Sequence, residues 1–538
     1  MKKIYNFSFL LLMFLCVNAS AQDERYIDEV FEDSDIVVEP GLTYAVNTTL
    51  LFASVAGEAV PIPLMMDVYY PSADVDTETD RPLVIYMHTG NFVPQPDFCS
   101  ISGRRDDNTS VGIINRLVKR GYVVASIDYR LGWNPGATMQ EVRTATLIQA
   151  AYRGVQDARS AVRFFRKSVV DDANPYGIDP DKVVTWGVGT GGYISFAVNA
   201  LDDYQDVILD KFILSNDLPM VRENTHGNPE GTTFGIQDMF TTGVPPVGDT
   251  LNIPTNVNFN DGTPISSEIQ MSVNAGGALG DLSWLDASDA PMVSFHVPVD
   301  PNAPYNTDVL IVPTTGQQVV EVSGSFDVQA QANALGINDI FDNYDGDDAF
   351  TMSADQLNDG NNGLYPFFRA PVPTGSGDPI LEGAPWDWWI QSEWDTVICN
   401  FGAGTGIPLN SIGLAGDPLM TPERGMIYQD SMMGYFAPRA CLALGLGCQS
   451  VGTKDIISAS SVALSIAPNP ATTEIRFTTN DENPMESIEI YNYAGQLMTS
   501  RRVEGNNFTL NRDGLSNGMY IAKIQFEKGI VSKKVVFN

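Results

Sequence analysis

The stretch "VVTWGVGTGGYISF", Val183 to Phe196, limits the fold more than any other part of the chain. A β-branched apolar run leads into Gly187, Gly189, Gly191 and Gly192, and a helix-forming segment follows. This pattern predicts a buried strand, a sharp turn with Gly189 at its tip, and a helix opening at Thr190. Glycines permit such a turn and allow helix and strand to pack closely. A phosphate-cradling loop is a poor match: the Lys-Ser/Thr pair is missing and the spacing departs from G-x-G-x-x-G.

The flanking sequence has the same alternating character. "PLMMDVYYP" (63–71), "RPLVIYMHTG" (81–90), "VVASIDYRLG" (123–132) and "KVVTWGVG" (182–189) read as strands. "SVGIINRLVKRGY" (110–122), "IQAAYRGVQDARSAVRFFRKSV" (148–169) and "GGYISFAVNAL" (191–201) have helical spacing. Strands alternating with helices imply a mostly parallel sheet covered on both faces. Residues 216–285 are rich in Gly, Pro, Asn and Thr and lack periodicity, as in an inserted lid-like segment.

These motifs resemble the α/β-hydrolase fold of carboxylesterases and acyl hydrolases. "VIYMHTGNF" is similar to their oxyanion loop, "VVASIDYRLG" to a characteristic strand, and "GIDPDKVVTWGVGTGG" to the segment holding the nucleophile elbow. "APMVSFHVPVDPNAPY" (290–305) resembles the strand that delivers the catalytic acid. The resemblance implies a doubly wound, mostly parallel sheet with a lid-like insertion. It places Gly189 at the nucleophile position, Asp300 at the acid position, and Thr190, Thr89 and Gly90 around the oxyanion hole.

The chemistry associated with that fold needs a hydroxyl on the elbow, a histidine to deprotonate it and an acid to orient the histidine. Glycine occupies the elbow. The family order puts the histidine after the acid, yet the three histidines, His88, His226 and His296, all precede Asp300. Thr190 is sterically unsuited as a replacement nucleophile, being β-branched in a left-handed turn with Val188 before it. His88 and His296 read as structural, and His226 as a solvated loop residue. The first functional reading is therefore a non-catalytic, esterase-like binding protein for a small molecule or glycan. The second is an ester hydrolase with an unrecognised nucleophile.

Other candidates carry less. "FDNYDGDDAF" (341–350) is acidic but fails the EF-hand register, which would require carboxylates at Phe341 and Met352. It reads as a solvated turn or a weak calcium site. "APWDWWIQSEW" (384–394) holds four tryptophans and reads as packing, with ligand stacking as the alternative. No cofactor or metal site is expected.

Residues 1–21 have the charge, apolar core and Ala-Ser-Ala ending of a secretory signal. The remaining Cys99, Cys399, Cys441 and Cys448 suggest two disulfides, Cys441–Cys448 and Cys99–Cys399. The formal net charge is −35. Residues 457–538 hold 8 basic and 8 acidic residues, whereas residues 22–456 hold 21 basic against 58 acidic. This imbalance argues against nucleic-acid or anionic-membrane partners and marks a domain change near 452/453. The last segment alternates apolar and polar residues in short runs, predicting a small antiparallel β-sandwich of six or seven strands. Pro468-Asn469-Pro470, "YNYAGQLM" (491–498), "LSNGMYIAKI" (515–524) and the terminal "KKVVFN" resemble the C-terminal sorting domain of the Bacteroidetes type IX secretion system. That resemblance implies the export machinery as partner and a secreted or surface location. No membrane span is expected after the signal.

Overall fold

The computed structural model describes residues 24–538, except 53–58, 95–98, 237–249, 313–315, 345–347, 376, 400–405, 449–461, 481–482, 493–496, 513 and 527–528. The signal-like segment and the expected domain junction lie outside the described residues.

Eight strands form the main sheet. They are β1 (Ile36–Thr49), β2 (Val60–Pro71), β3 (Arg81–Met87), β4 (Val123–Ile127), β5 (Ile178–Val188), β6 (Met271–Ala275), β7 (Met292–His296) and β8 (Leu364–Pro366). Their spatial order is β1-β2-β4-β3-β5-β6-β7-β8. From β4 onward neighbouring strands are parallel, and the β1–β2 and β2–β4 pairs are antiparallel. The central strands are near-continuous apolar runs because both sheet faces are covered. Leu83, Ile85 and Met87 face one core, and Val84 and Tyr86 face the other.

Helix α1 (Asn108–Lys119) packs its Ile113, Ile114, Leu117 and Val118 into the second core. The first core receives α2 (Gln140–Asp171) and α3 (Thr190–Ala200), together with Val328 and Ala332 of α4 (Ser325–Leu335). Helix α5 (Pro422–Ala443) joins α1 on the opposite face through Tyr435 and Phe436. The Cys441–Cys448 disulfide closes the loop behind α5, and Cys99–Cys399 ties together residues 300 apart in sequence.

The insertion between α3 and β6 packs on α2. Gln156 Nε2 donates to the carbonyls of His226 and Asn228 at 2.7 and 2.9 Å. Tyr152 OH donates to Gly227 O at 2.8 Å, and Arg163 Nη1 to Glu230 O at 2.7 Å. His226 is buried rather than solvated, and burial lowers its pKa to about 3. The sequence suggested exposure because its neighbours are polar. Those neighbours bring backbone acceptors to α2, and the imidazole is covered in the process.

One buried ion pair anchors this side. Asp157 accepts from Arg130 N at 2.8 Å and pairs with the guanidinium at 2.9 Å, with both side chains fully buried. Arg130 Nη1 then donates to Leu251 O of the insertion at 3.0 Å.

The C-terminal segment contains β9 (Ser465–Ala467), β10 (Glu474–Thr478), β11 (Met485–Asn492), β12 (Leu497–Gly505), β13 (Asn507–Asn511), β14 (Gly518–Phe526) and β15 (Gly529–Phe537). They form sheets β9-β10-β13 and β12-β11-β14-β15, antiparallel throughout. Ile475, Phe477, Ile488, Ile490, Ile524 and Val531 fill the core between them. Among the described residues no helix is long and apolar enough to cross a membrane.

Replacing Asp157 with Ala leaves a buried guanidinium without its counter-charge. The expected loss of unfolding free energy is about 3–5 kcal/mol, measured by denaturant titration of the main domain.

Candidate functional site: a glycine elbow beside two buried carboxyls

The turn between β5 and α3 has the predicted form. Gly189 caps α3 with φ 54° and ψ −116°, and Thr190 opens the helix. The neighbouring glycines are sterically required. A Cβ on Gly187 would overlap Gly191 O, one on Gly191 would overlap Met87 O, and one on Gly192 would overlap Asn274 Oδ1. The first turn of α3 therefore sits directly on the ends of β3 and β6.

Gly189 differs from these three. A Cβ there would run into the side chain of Thr89, overlapping Oγ1 and lying 2.9 Å from the Thr89 Cβ. The room above the turn that a nucleophilic side chain would use is filled by the Thr89 hydroxyl. Thr190 points its own hydroxyl elsewhere: Oγ1 lies 3.0 Å from Tyr129 OH, which donates to His88 O at 2.8 Å. Thr190 therefore donates to Tyr129.

All five residues expected from the sequence line one polar cleft. Thr89 and Gly90 follow β3, Gly189 and Thr190 form the elbow, and Asp300 lies in the loop after β7. The first N–H groups of α3 have no intrahelical acceptor, so the Thr190 N–H is available as a donor. Asn91, Tyr193, Asn302, Trp386 and Asp387 complete the wall. Sequence reasoning singled out the tryptophan-rich segment but missed Asp387 within it. An aspartate flanked by Trp386 and Trp388 was the available signal.

Asp300 Oδ1 accepts from Asn302 N at 2.7 Å and Ala303 N at 3.4 Å. Its Oδ2 lies 3.8 Å from His296 Nε2. The structure thus brings together an acid and a histidine that chain order seemed to keep apart. This histidine does not line the cleft. It is fully buried, with Nε2 donating to Ala303 O at 3.2 Å and Nδ1 2.7 Å from Ser325 Oγ. Burial lowers its pKa to about 4, so it is neutral and gives Asp300 no positive charge. Burial correspondingly raises Asp300 to about 7. His88 is also buried, stacked on Tyr129, with Nδ1 2.5 Å from Thr89 O.

The polar cleft continues into an apolar pocket through Asn91, Thr190, Tyr193 and Asn302. Phe92, Trp133, Leu147, Tyr152, Trp284 and Val320 are among the residues lining this pocket. Of the 216–285 stretch expected to be lid-like, Ala275 and Gly276 line the polar cleft and Gly280 and Trp284 the apolar pocket, all at or after the end of β6; no described residue of its irregular part, 216–270, lines either space. Asp342 and Asp348, in the acidic stretch weighed for calcium, serve local roles. Asp348 caps the helix that follows, and Asp342 accepts from Asn362 Nδ2. Residues 345–347 lie outside the described residues. Among the described residues the one acidic grouping close enough to share an ion is Asp202, Asp286 and Asp289, away from the cleft.

Two family models match the chain. One, described as BD-FAE, covers residues 66–312, and the other, the secretion system C-terminal sorting domain, covers residues 465–538. The chain joins an esterase-like α/β-hydrolase domain to a type IX sorting domain. The sorting domain marks the protein for type IX export, to the cell surface or the medium, and for handling by that machinery. A non-reducing polyketide synthase, nvfA, of Aspergillus novofumigatus is 29% identical over 143 residues, 26% of this chain and 5% of that protein. Esterase 2 of Thermogutta terrifontis phosphorylated by paraoxon is 16% identical at a TM-score of 0.30, covering 63% of this chain and 84% of its own. Its propionate-bound form gives 16%, 0.30, 61% and 83%, and its native form 15%, 0.30, 64% and 85%.

The esterase-like domain supplies a test of the elbow. Gly189→Ser forces the stiff Thr89 side chain out of its rotamer and is expected to lower stability by about 1–3 kcal/mol. Adding Thr89→Gly should recover the part of that loss due to the overlap and leave the part due to a side chain at φ 54°. A double-mutant cycle in denaturant measures the coupling, and strict additivity would show that the two positions do not compete for the same space.

Proposed function

We propose that this exported protein is a non-catalytic binding protein that keeps the cleft of its esterase-like domain for a small-molecule or glycan ligand. The sorting domain, beginning near residue 453, delivers it and the main domain binds. The observation that carries this reading is the elbow itself: Gly189 has no side chain, and the space a nucleophile would use holds the Thr89 hydroxyl. None of the three histidines lines the cleft, so no imidazole stands ready to deprotonate a hydroxyl there. The backbone donors at Thr190 and Gly90 need no nucleophile in order to orient a carbonyl or hydroxyl. The adjoining apolar pocket gives the ligand an apolar portion.

The second reading, an active ester hydrolase, rests on the same donors and on Asp300 in the cleft. Activity measurements separate the two. The mature protein is expected to resist labelling by a fluorophosphonate probe and to hydrolyse short acyl esters at no more than a trace rate. Asp300→Asn should leave that rate unchanged, because no histidine relay in the cleft depends on it. Turnover in the usual enzymatic range of about 1–10³ s⁻¹, abolished by Asp300→Asn, Thr89→Ala or Thr190→Ala, would establish the hydrolase instead.

A further inference from the structure

Asp387 lies outside the set of residues that the motifs pointed to, and one of its oxygens is left without a partner. Its Oδ1 is buried and without a hydrogen-bond partner. It lines the polar cleft together with Asp300, and among the described residues no lysine, arginine or histidine lines that cleft. Around it stand Asp107, Asp417 and Asp300. Asp107 is committed to capping α1, accepting from Ser110 N at 2.8 Å. Asp417 is paired with Arg424 at 3.0 Å. His296 beside Asp300 is held neutral by burial. Among the described residues the cleft therefore contains two carboxyls and no compensating cation. A buried carboxylate oxygen without a partner is costly unless something pairs with it.

We propose that Asp387 and Asp300 form the head-group subsite for an organic ammonium ligand, whose apolar body occupies the pocket beyond Asn91, Thr190, Tyr193 and Asn302. The inference rests on the binding reading above and specifies its ligand. Among the described residues no group of three acidic, histidine or cysteine ligands gathers at this cleft, so a metal ion would lack a full protein ligand set there, and an organic cation with an apolar body suits the space better. An ammonium has three N–H donors and can serve separated acceptors. The rings of Trp386 and Tyr193 line the same space and suit a cation. Trp386 Nε1 is also buried without an acceptor, so a ligand oxygen near the ammonium has a donor to meet.

The charge state supplies a measurable signature. Burial, and then the charges of Asp107 and Asp417, raise Asp387 to about 8, against a contribution from the Thr109 hydroxyl. Burial raises Asp300 to about 7. Near pH 6.5 both are largely protonated in the free protein, and binding a cation displaces those protons. As pH rises through both values the protons are already gone, so amine affinity should increase.

Isothermal titration of the mature full-length protein tests this with 2-phenylethylamine, its neutral isostere 2-phenylethanol, the anion 3-phenylpropanoate, and calcium alone. The amine is expected to bind at least about tenfold more tightly than the alcohol, the difference of one good charge-assisted contact. Its affinity should rise from pH 6 to pH 8.5, with net proton release at pH 6.5 measured across buffers of different ionisation enthalpy. Asp387→Asn should remove the amine's advantage and leave the alcohol within about twofold. Equal binding of amine and alcohol, both displaced by a bulky apolar competitor, would overturn the ammonium subsite and leave the binding cleft standing. Tighter binding of the anion, competition by calcium at the same site, or no binding of the amine would also overturn the subsite. Proton release in the wild type decides the matter even where Asp387→Asn fails to fold.

Discussion

Everything in the main domain is arranged around the close approach of α3 to the ends of β3 and β6. Three glycines touch backbone or a buried amide with no room for a β-carbon, so the helix N-terminus lies where strand carbonyls would otherwise exclude it. The consequence is chemical as well as steric. The donor end of a helix is brought to the carboxyl end of a parallel sheet, the place where folds of this class gather their loops. Loops after β3, β5 and β7 converge there and form the cleft.

The turn at the cleft is tight, and Thr190 and Asp300 lie in its wall. The Thr89 side chain occupies the room above Gly189. A buried chain links Asn274 Nδ2 to Ser325 Oγ at 2.9 Å, and Ser325 Oγ to His296 at 2.7 Å, with Asp300 beyond. These groups pair with one another inside the fold. They hold the acid loop in position and present no base to the cleft.

On the same face of the sheet as α3, α2 plays the organising role. Its Tyr152, Gln156, Asp157 and Arg163 are buried polar residues whose partners are largely backbone atoms of the insertion or of the segment after β4. Buried polar groups need specific partners, so they impose one path on a segment that has little regular structure of its own. This accounts for a low-periodicity stretch being packed on α2.

The sequence by itself determined the order and type of the elements. Long apolar runs such as Leu83–Met87 and Val183–Val188 admit only buried strands, the 3.6-residue spacing of α1 and α3 admits only helices, and the glycine spacing demands the turn. It also determined the terminal sandwich, because period-two alternation between Pro, Asn and Gly breaks is a local signal. Cys441–Cys448 followed from a short local spacing and Cys99–Cys399 by elimination, while the resemblance of the strand-end motifs placed Thr89, Gly90, Gly189, Thr190 and Asp300 together. Tertiary structure alone decided the rest. That His296 approaches Asp300 yet faces away from the cleft depends on the rotation of a buried side chain, which no spacing encodes. That His226 is buried depends on α2, some 70 residues earlier in the chain. That Asp387 lines the same cleft as Asp300, with its Oδ1 left without a partner, depends on a segment 87 residues beyond that acid returning to the elbow. Local pattern specifies local geometry through steric and hydrogen-bond rules. The charge balance of a cleft is a sum over distant segments and exists only once they are packed together.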